Sequence, residues 1–297
     1  MNRLEYGLFL LCERNRDGSY ATQANRRKML ALMTEQLRRL GYRVYDMQPS
    51  DLKGRHINAL VSVWKSEGKS TGTIKNRMAT IRWWAEKVGK PEIVQTNATY
   101  GIENRVYVTN KDKSISLKDL NLSEIDHNIA QSLRLQDAFG LRREESMKFQ
   151  PEYALDGQNV DSAKYIRLKD SWTKGGRPRT IPITSEKQRV ELRKSLDIAR
   201  LNRGRLIPVG RTYKAHMSQF EAITHAMGIG QTHGLRHGYA QNRYEQLMGF
   251  PCPAVGGDRE LTEDEKVHDK EVRLLISEEL GHSRIGITSI YLGSWGR

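Results

Sequence analysis

The sequence predicts a mainly α protein with a small β-sheet, a single hairpin, divided into two domains. Three observations carry that reading. Apolar residues recur at helical spacing over most of the chain, and strand-like runs are confined to Tyr165–Lys169 and Arg179–Ile183. At 297 residues the chain is also too long for one compact core.

Taken in order, the N-terminal side reads as one helical domain with no clear extra module, a short arm over Met1 to Tyr20 being the alternative. From Thr22 to Leu40, Met29, Leu30, Leu32, Met33, Leu37 and Leu40 form a helical stripe, with Arg26, Arg27 and Lys28 among the basic residues at the other positions. Gly41 stops that helix. Ser50 to Glu67 reads as a second helix, with Leu52, Ile57, Leu60, Val61 and Trp64 inward. After a Gly-rich turn, Thr73 to Val88 forms a third, which carries Lys75 and Arg77. Trp83 and Trp84 on it are read as core packing rather than a platform for stacked bases. From Pro91 the periodicity fades into Asn and Gly, which gives a helical domain over 1–95, a linker over 96–116 and a second domain over 117–297. Lys111 and Lys113 in the linker are either backbone-phosphate contacts or solvated charges. Helical spacing returns at Leu117 and leads into Arg142; the two strands then flank Lys174-Gly175-Gly176, and several helices follow.

The formal net charge is +14, with a pI near 9.7, so an anionic partner is expected. Residues 1–110 hold 19 Lys+Arg against 10 Asp+Glu, a net of +9, and the remainder 30 against 25, a net of +5. The first domain is therefore read as the phosphate-gripping one. Cys12 and Cys252 sit in no metal-ligand spacing and are read as reduced thiols. No run approaches the roughly 18 apolar residues of a membrane span, and the N-terminus lacks the shape of a secretory signal. A soluble, cytoplasmic, nucleoid-associated protein is expected.

The last third of the chain concentrates unusual chemistry. His233-Gly-Leu-Arg236-His237 is followed by Leu280-Gly281-His282 and, nine residues after that histidine, by Tyr291. Earlier come Gly140-Leu141-Arg142-Arg143-Glu144-Glu145 and Lys174 in its turn. Taken singly these are weak signals: Gly-x-Arg-x-x-Glu is usually an exposed ion pair, and a Lys-Gly-Gly turn is usually a surface loop. A tyrosine on a last helix is usually an amphipathic anchor. Together, in this order, they resemble the boxes of the tyrosine recombinase (phage integrase) family, and the match reaches every motif of its catalytic half.

The resemblance implies a helical core-binding domain and a mixed α/β catalytic domain that close as a C-shaped clamp on duplex DNA. It implies that Arg142 and Arg236 clamp the scissile phosphate and that Lys174 protonates the departing 5′ oxygen. His233 would contact a phosphate oxygen or accept the tyrosine proton, and His282 would donate to a non-bridging oxygen. Tyr291 would be the nucleophile, forming a 3′-phosphotyrosine. Glu145 and His237 would support the site, while Lys169, Arg177 and Arg179 are read as hairpin charges or phosphate contacts, and Arg284, just after Leu280-Gly281-His282, as a DNA contact. His225 matches no box and is read as structural. Such chemistry makes sense without a cofactor or metal: two permanent cations stabilise the doubly charged transition state, and the covalent bond stores the energy that ATP would otherwise supply.

By the same resemblance the partners are specific short DNA sites and, on DNA, three further copies of the chain, with a monomer when free. DNA-bending accessory proteins are optional partners. The implied function is integration or excision of a mobile element or prophage through a Holliday junction. A type IB topoisomerase-like enzyme and a non-catalytic DNA-binding relative stand as alternatives. Two features depart from the pattern. Arg236 and His282 are 46 positions apart, with Gly249 to Lys270 read as a surface insertion, and only six residues follow Tyr291.

Overall fold

A computed structural model gives the structure of residues 1–118, 120–282 and 285–296. The chain divides into two compact units, Met1–Val106 and Tyr107–Arg297, so the division falls inside the stretch 96–116.

The first unit is built from α1 (Arg3–Arg14), α2 (Tyr20–Arg39), α3 (Gly54–Ser66) and α4 (Thr71–Lys87). The alternative of a separate arm does not hold, since α1 packs along α2 with Leu4, Leu8 and Cys12 buried. Apolar residues on both faces, Tyr6, Phe9, Leu10 and Leu11 among them, hid a buried stripe repeating every four residues. Asn2 caps it by accepting the Glu5 N–H at 2.9 Å. The expected helix from Ser50 is also broken. Pro49–Asp51 makes a short 3-10 turn, Leu52 dips into the core, and the Lys53 N–H donates to His56 Nδ1 at 2.8 Å as α3 begins. Trp64 and Trp84 fill the centre; Trp84 donates its indole N–H to the Pro49 carbonyl at 3.2 Å. Residues 95–105 stay with this unit: Lys65 reaches the Tyr100 carbonyl at 2.7 Å, and Ile102 is buried.

The second unit is organised around α5 (His127–Phe139), which packs against α8 (Glu186–Leu201) and α10 (His233–Met248). Two short helices, α6 (Arg143–Met147) and α7 (Pro151–Leu155), lead to the hairpin of β1 (Tyr165–Leu168) and β2 (Arg179–Pro182). The strands are antiparallel, with Leu168 opposite Arg179 and Ile166 opposite Ile181. After α8 come α9 (Tyr213–Ala226), α11 (Glu263–Glu279) and α12 (Ile285–Leu292), with α11 packed on both α10 and α12.

Gly249 to Lys270 is not a surface insertion throughout. Cys252, Pro253 and Ala254 are buried, and from Glu263 the chain is already α11, whose start Thr262 and Glu265 cap reciprocally. The acidic run marked a helix N-terminus, where negative charge is favoured. His225, which matched no box, is exposed at the end of α9. Among the described residues no helix is long and apolar enough to cross a membrane.

Candidate active site

Gly140 ends α5 in the left-handed region (φ +60°), where a side chain would strike the Tyr239 ring. The turn directs the Gly140 carbonyl inward and sets Arg142 at the start of α6. On the first turns of α10, His233, Arg236 and His237 occupy positions i, i+3 and i+4 and share one face. Tyr291 comes to them from α12 and His282 from the turn after α11.

Arg236 is the hub. Its side chain is fully buried, and its two terminal nitrogens donate to the carbonyls of Gly140 and Leu280. One of them also lies 3.4 Å from His282 Nε2, and Nε lies 3.4 Å from the Tyr291 hydroxyl. A single guanidinium thus joins three of the sequence boxes and the phenol. Burial pushes it down to about 10, with the Arg142 and Arg179 charges adding to the effect against Tyr291 and Glu145, and it remains a cation at neutral pH.

The Tyr291 side chain is nearly buried, and its hydroxyl stands 3.2 Å from His233 Nε2. Its ring is surrounded by imidazoles, with centroid distances of 4.6 Å to His237, 5.6 Å to His282 and 5.7 Å to His233. Burial, then the Arg236 and Arg142 charges, hold His233 down to about 4. His237 is pushed to about 4 by burial and then by His233 and Lys113. Burial and the Arg236, Arg142 and Arg179 charges take His282 to about 3. All three are neutral at pH 7. With Arg236 donating to the phenol oxygen and His233 protonated on Nδ1, Nε2 is free to accept the phenol proton.

Arg142 is partly exposed, and one terminal nitrogen meets Glu145 at 2.8 Å. Glu145 is fully buried; besides Arg142 it takes both terminal nitrogens of Arg179, at 2.8 and 2.7 Å. Burial alone would raise its pKa, but the Arg179 hydrogen bonds and charge, with Arg142 and Arg236 behind them, hold it at about 2. Arg179 is therefore not a loose hairpin charge. It is buried, and Nε is also bonded to the Glu279 carbonyl at 2.9 Å. The missed signal was strand alternation, since Arg179 shares a face with buried Ile181.

Lys174 is not brought into this cluster. It stands exposed between β1 and β2, without a hydrogen bond to any described residue. The turn itself is anchored by buried Trp172, which packs against the rings of Phe149 and Tyr153. Arg177, Lys28, Lys111 and Lys113 are likewise exposed and unpaired among the described residues. Several other basic residues are engaged. Arg26 stacks on Trp83 at 4.0 Å and pairs with Asp17, Arg27 pairs with Glu13, Lys75 donates to Asn104 and Arg77 lies over Trp64. Arg284 lies outside the described residues. Among the described residues no group of three or more His, Cys, Asp or Glu could hold a metal ion.

Family models match both parts of the chain: a phage integrase N-terminal model over residues 1–94 and an integrase model over residues 106–242. No curated protein matches. Among solved structures, the XerH site-specific recombinase is 17% identical, with TM-score 0.59, over 98% of this chain and 82% of that one. A λ integrase fragment is 16% identical, with TM-score 0.59, over 98% and 94%. The Tn1549 transposon integrase is 10% identical, with TM-score 0.55, over 98% and 95%. At such identities the likeness is one of fold: mostly helical, two units, one small antiparallel sheet. The two matched models cover residues 1–94 and 106–242 of one chain, and on them the chain belongs to the phage integrase family of tyrosine recombinases.

Proposed function

We infer that the chain is a site-specific DNA recombinase that cuts and rejoins strands through a covalent bond to Tyr291, integrating or excising a mobile element or prophage. The single observation that carries the reading is the Arg236 guanidinium, which touches the turns of two boxes and the hydroxyl of the third. The solved structures of similar fold lend support. XerH was captured on its difH substrate after cleavage, λ integrase on a core site, and the Tn1549 integrase on transposon end DNA.

In this reading the Tyr291 oxygen attacks phosphorus while its proton passes to His233 Nε2. Arg142 and Arg236 face the non-bridging oxygens as the phosphate gains negative charge, a role worth about 2.7–4 kcal/mol for each preorganised donor. His282, its Nε2 turned to Arg236, keeps Nδ1–H as a donor. The P–O5′ bond breaks, the 5′ oxygen takes a proton from Lys174, and a 3′-phosphotyrosine and a free 5′-hydroxyl remain. Attack by a 5′-hydroxyl from the partner duplex reverses the step and returns the phenol. Two rounds, on four copies of the chain, make and resolve a Holliday junction. Lys28, Lys111, Lys113 and Arg177 contact backbone phosphates, so binding weakens steeply as salt rises.

The test is covalent trapping on sheared DNA from the source cell, in chelator, beside Tyr291→Phe. Adducts at one short, partly palindromic site that vanish in the variant support a recombinase. Adducts scattered over unrelated sequences would instead indicate a topoisomerase.

A further inference from the structure

The segment that leads out of the first unit ends against the nucleophile. Asn110, four positions after Val106, sets its side-chain amide on the backbone of Ser294: Nδ2 donates to the Ser294 carbonyl at 2.9 Å, and Oδ1 accepts the Ser294 N–H at 2.9 Å. Two residues further, Asp112 Oδ1 accepts from Gln241 Nε2 at 3.1 Å, and the same nitrogen lies 3.4 Å from the Tyr291 carbonyl. Gln241 is buried on α10, four residues after His237 and eight after His233, hence on the face that meets Tyr291. Asp112 is itself fixed by the Ser114 N–H at 2.8 Å and the Ser114 hydroxyl at 3.0 Å.

The path continues along α10. The Ile115 N–H donates to the Gly234 carbonyl at 3.3 Å. A side chain at Gly234 would lie 2.5 Å from Ile115 and 2.8 Å from the Lys113 carbonyl, so this glycine lets the segment lie flat on the helix beside His233. Asn110 to Ile115 thus reads less as a spacer than as a clasp on the backbone at Tyr291 and just beyond it.

The same stretch is gripped from its other side by α11. Arg273 donates to the Gly293 carbonyl at 3.0 Å and pairs with Asp269, which accepts the Trp295 indole N–H at 3.1 Å. That grip lies within the body of the second unit. The clasp at Asn110 and Asp112 is different: both residues are exposed, their hydrogen bonds compete with water, and each bond alone is weak. Such a clasp can open without disturbing the core.

We propose that Asn110, Asp112 and Gln241 are positioning residues for Tyr291, holding the nucleophile's backbone so that its hydroxyl reaches the phosphate in line. The proposal rests on Tyr291 being the nucleophile. Its physical basis is the steep dependence of an in-line attack on placement, where a displacement of about 1 Å costs on the order of 100-fold. A partial loosening from one lost bond should cost about tenfold.

The experiment uses the full chain with Asn110→Ala, Asp112→Ala, Asp112→Asn and Tyr291→Phe. It reads amide hydrogen exchange over residues 286–296 in the free protein, and the rate of covalent adduct formation on sheared source DNA beside equilibrium binding to the same DNA. Asn110→Ala and Asp112→Ala should speed exchange in that segment and slow adduct formation about tenfold, with DNA binding and exchange in α5 unchanged. Asp112→Asn keeps the acceptor for Gln241 and should behave as wild type. Unchanged exchange and adduct rates in both alanine variants would overturn the proposal. So would Asp112→Asn failing as badly as Asp112→Ala, because the hydrogen bond would then not be the cause. Adducts persisting in Tyr291→Phe would remove the nucleophile reading instead, a result separable from the exchange data.

Discussion

Arg179 closes both of its terminal nitrogens on the carboxylate of Glu145, at 2.8 and 2.7 Å, in a place where Glu145 has no exposure to solvent. The pair ties the hairpin strand β2 to the first turn of α6, the turn that also carries Arg142. Removing one partner strands a buried charge. Arg179→Ala should therefore cost about 3–5 kcal/mol in urea unfolding. A loss under about 1 kcal/mol would show that water reaches Glu145.

The same pair predicts an acid limit. Glu145 is held at about 2 in the folded protein against an ordinary value of 4.5, so the unfolded chain takes up its proton first as pH falls. The stability it contributes is present above about pH 4.5 and is lost as pH drops from there toward 2. Glu145→Gln should flatten unfolding free energy over that window. An unaltered slope would place the acid sensitivity elsewhere.

A second window lies higher and belongs to the histidines. His233 and His237 are held at about 4 and His282 at about 3, all below the ordinary 6.5. Between about pH 4 and 6.5 the unfolded chain binds protons that the folded chain refuses, so stability should rise with pH across this range and level off above 7. His233→Gln should reduce the slope without abolishing it, because two neutral imidazoles remain. Equal urea midpoints at pH 5 and pH 7.5 would contradict the neutral cluster.

Lys174 offers the opposite profile, a residue with nothing to lose in stability. It is exposed and without a described partner, so Lys174→Ala should change unfolding free energy by less than about 0.5 kcal/mol. Given its proposed role of general acid, its loss should nonetheless slow cleavage by about 10²–10⁴-fold. A substrate with sulfur in place of the 5′ bridging oxygen releases a thiolate that needs no proton, and should restore the rate. Failure of that substrate to rescue would move the acid role to another group.

The contrast between Lys174 and Arg179 shows what the sequence could carry. Both were read as cations on one hairpin, and local pattern separates neither from a surface charge. The period-two register of β2 does separate them, because it places Arg179 with Ile181 on the inner face. Arg142, His233, Arg236, His282 and Tyr291 were legible because each sits in a box whose order and spacing are distinctive. Gln241 and Asp112 were not, since their roles arise from contacts across 129 and 50 positions of chain. For α1 and α11 the obstacle was composition: extra apolar residues blurred the buried stripe of α1, and acidic residues masked the helix cap of α11.

Arg142 and Arg236 should separate in stability and not in cleavage. Arg236 is fully buried and satisfies the Gly140 and Leu280 carbonyls at once, a span that the ammonium of Lys cannot bridge. Arg236→Lys should leave at least one of those carbonyls unpaired and cost about 1–3 kcal/mol. Arg142 is partly exposed and, among the described residues, its side chain is bonded only to Glu145, which keeps Arg179 when Arg142 is replaced. Arg142→Lys should thus cost under about 1 kcal/mol. Both should slow covalent adduct formation by about 10²–10³-fold, since in the proposed mechanism each removes a donor aimed at the phosphate. Urea unfolding beside single-turnover cleavage reads both quantities. If Arg142→Lys cleaved at the wild-type rate while Arg236→Lys did not, the phosphate would be held by Arg236 alone, and Arg142 would act only on Glu145.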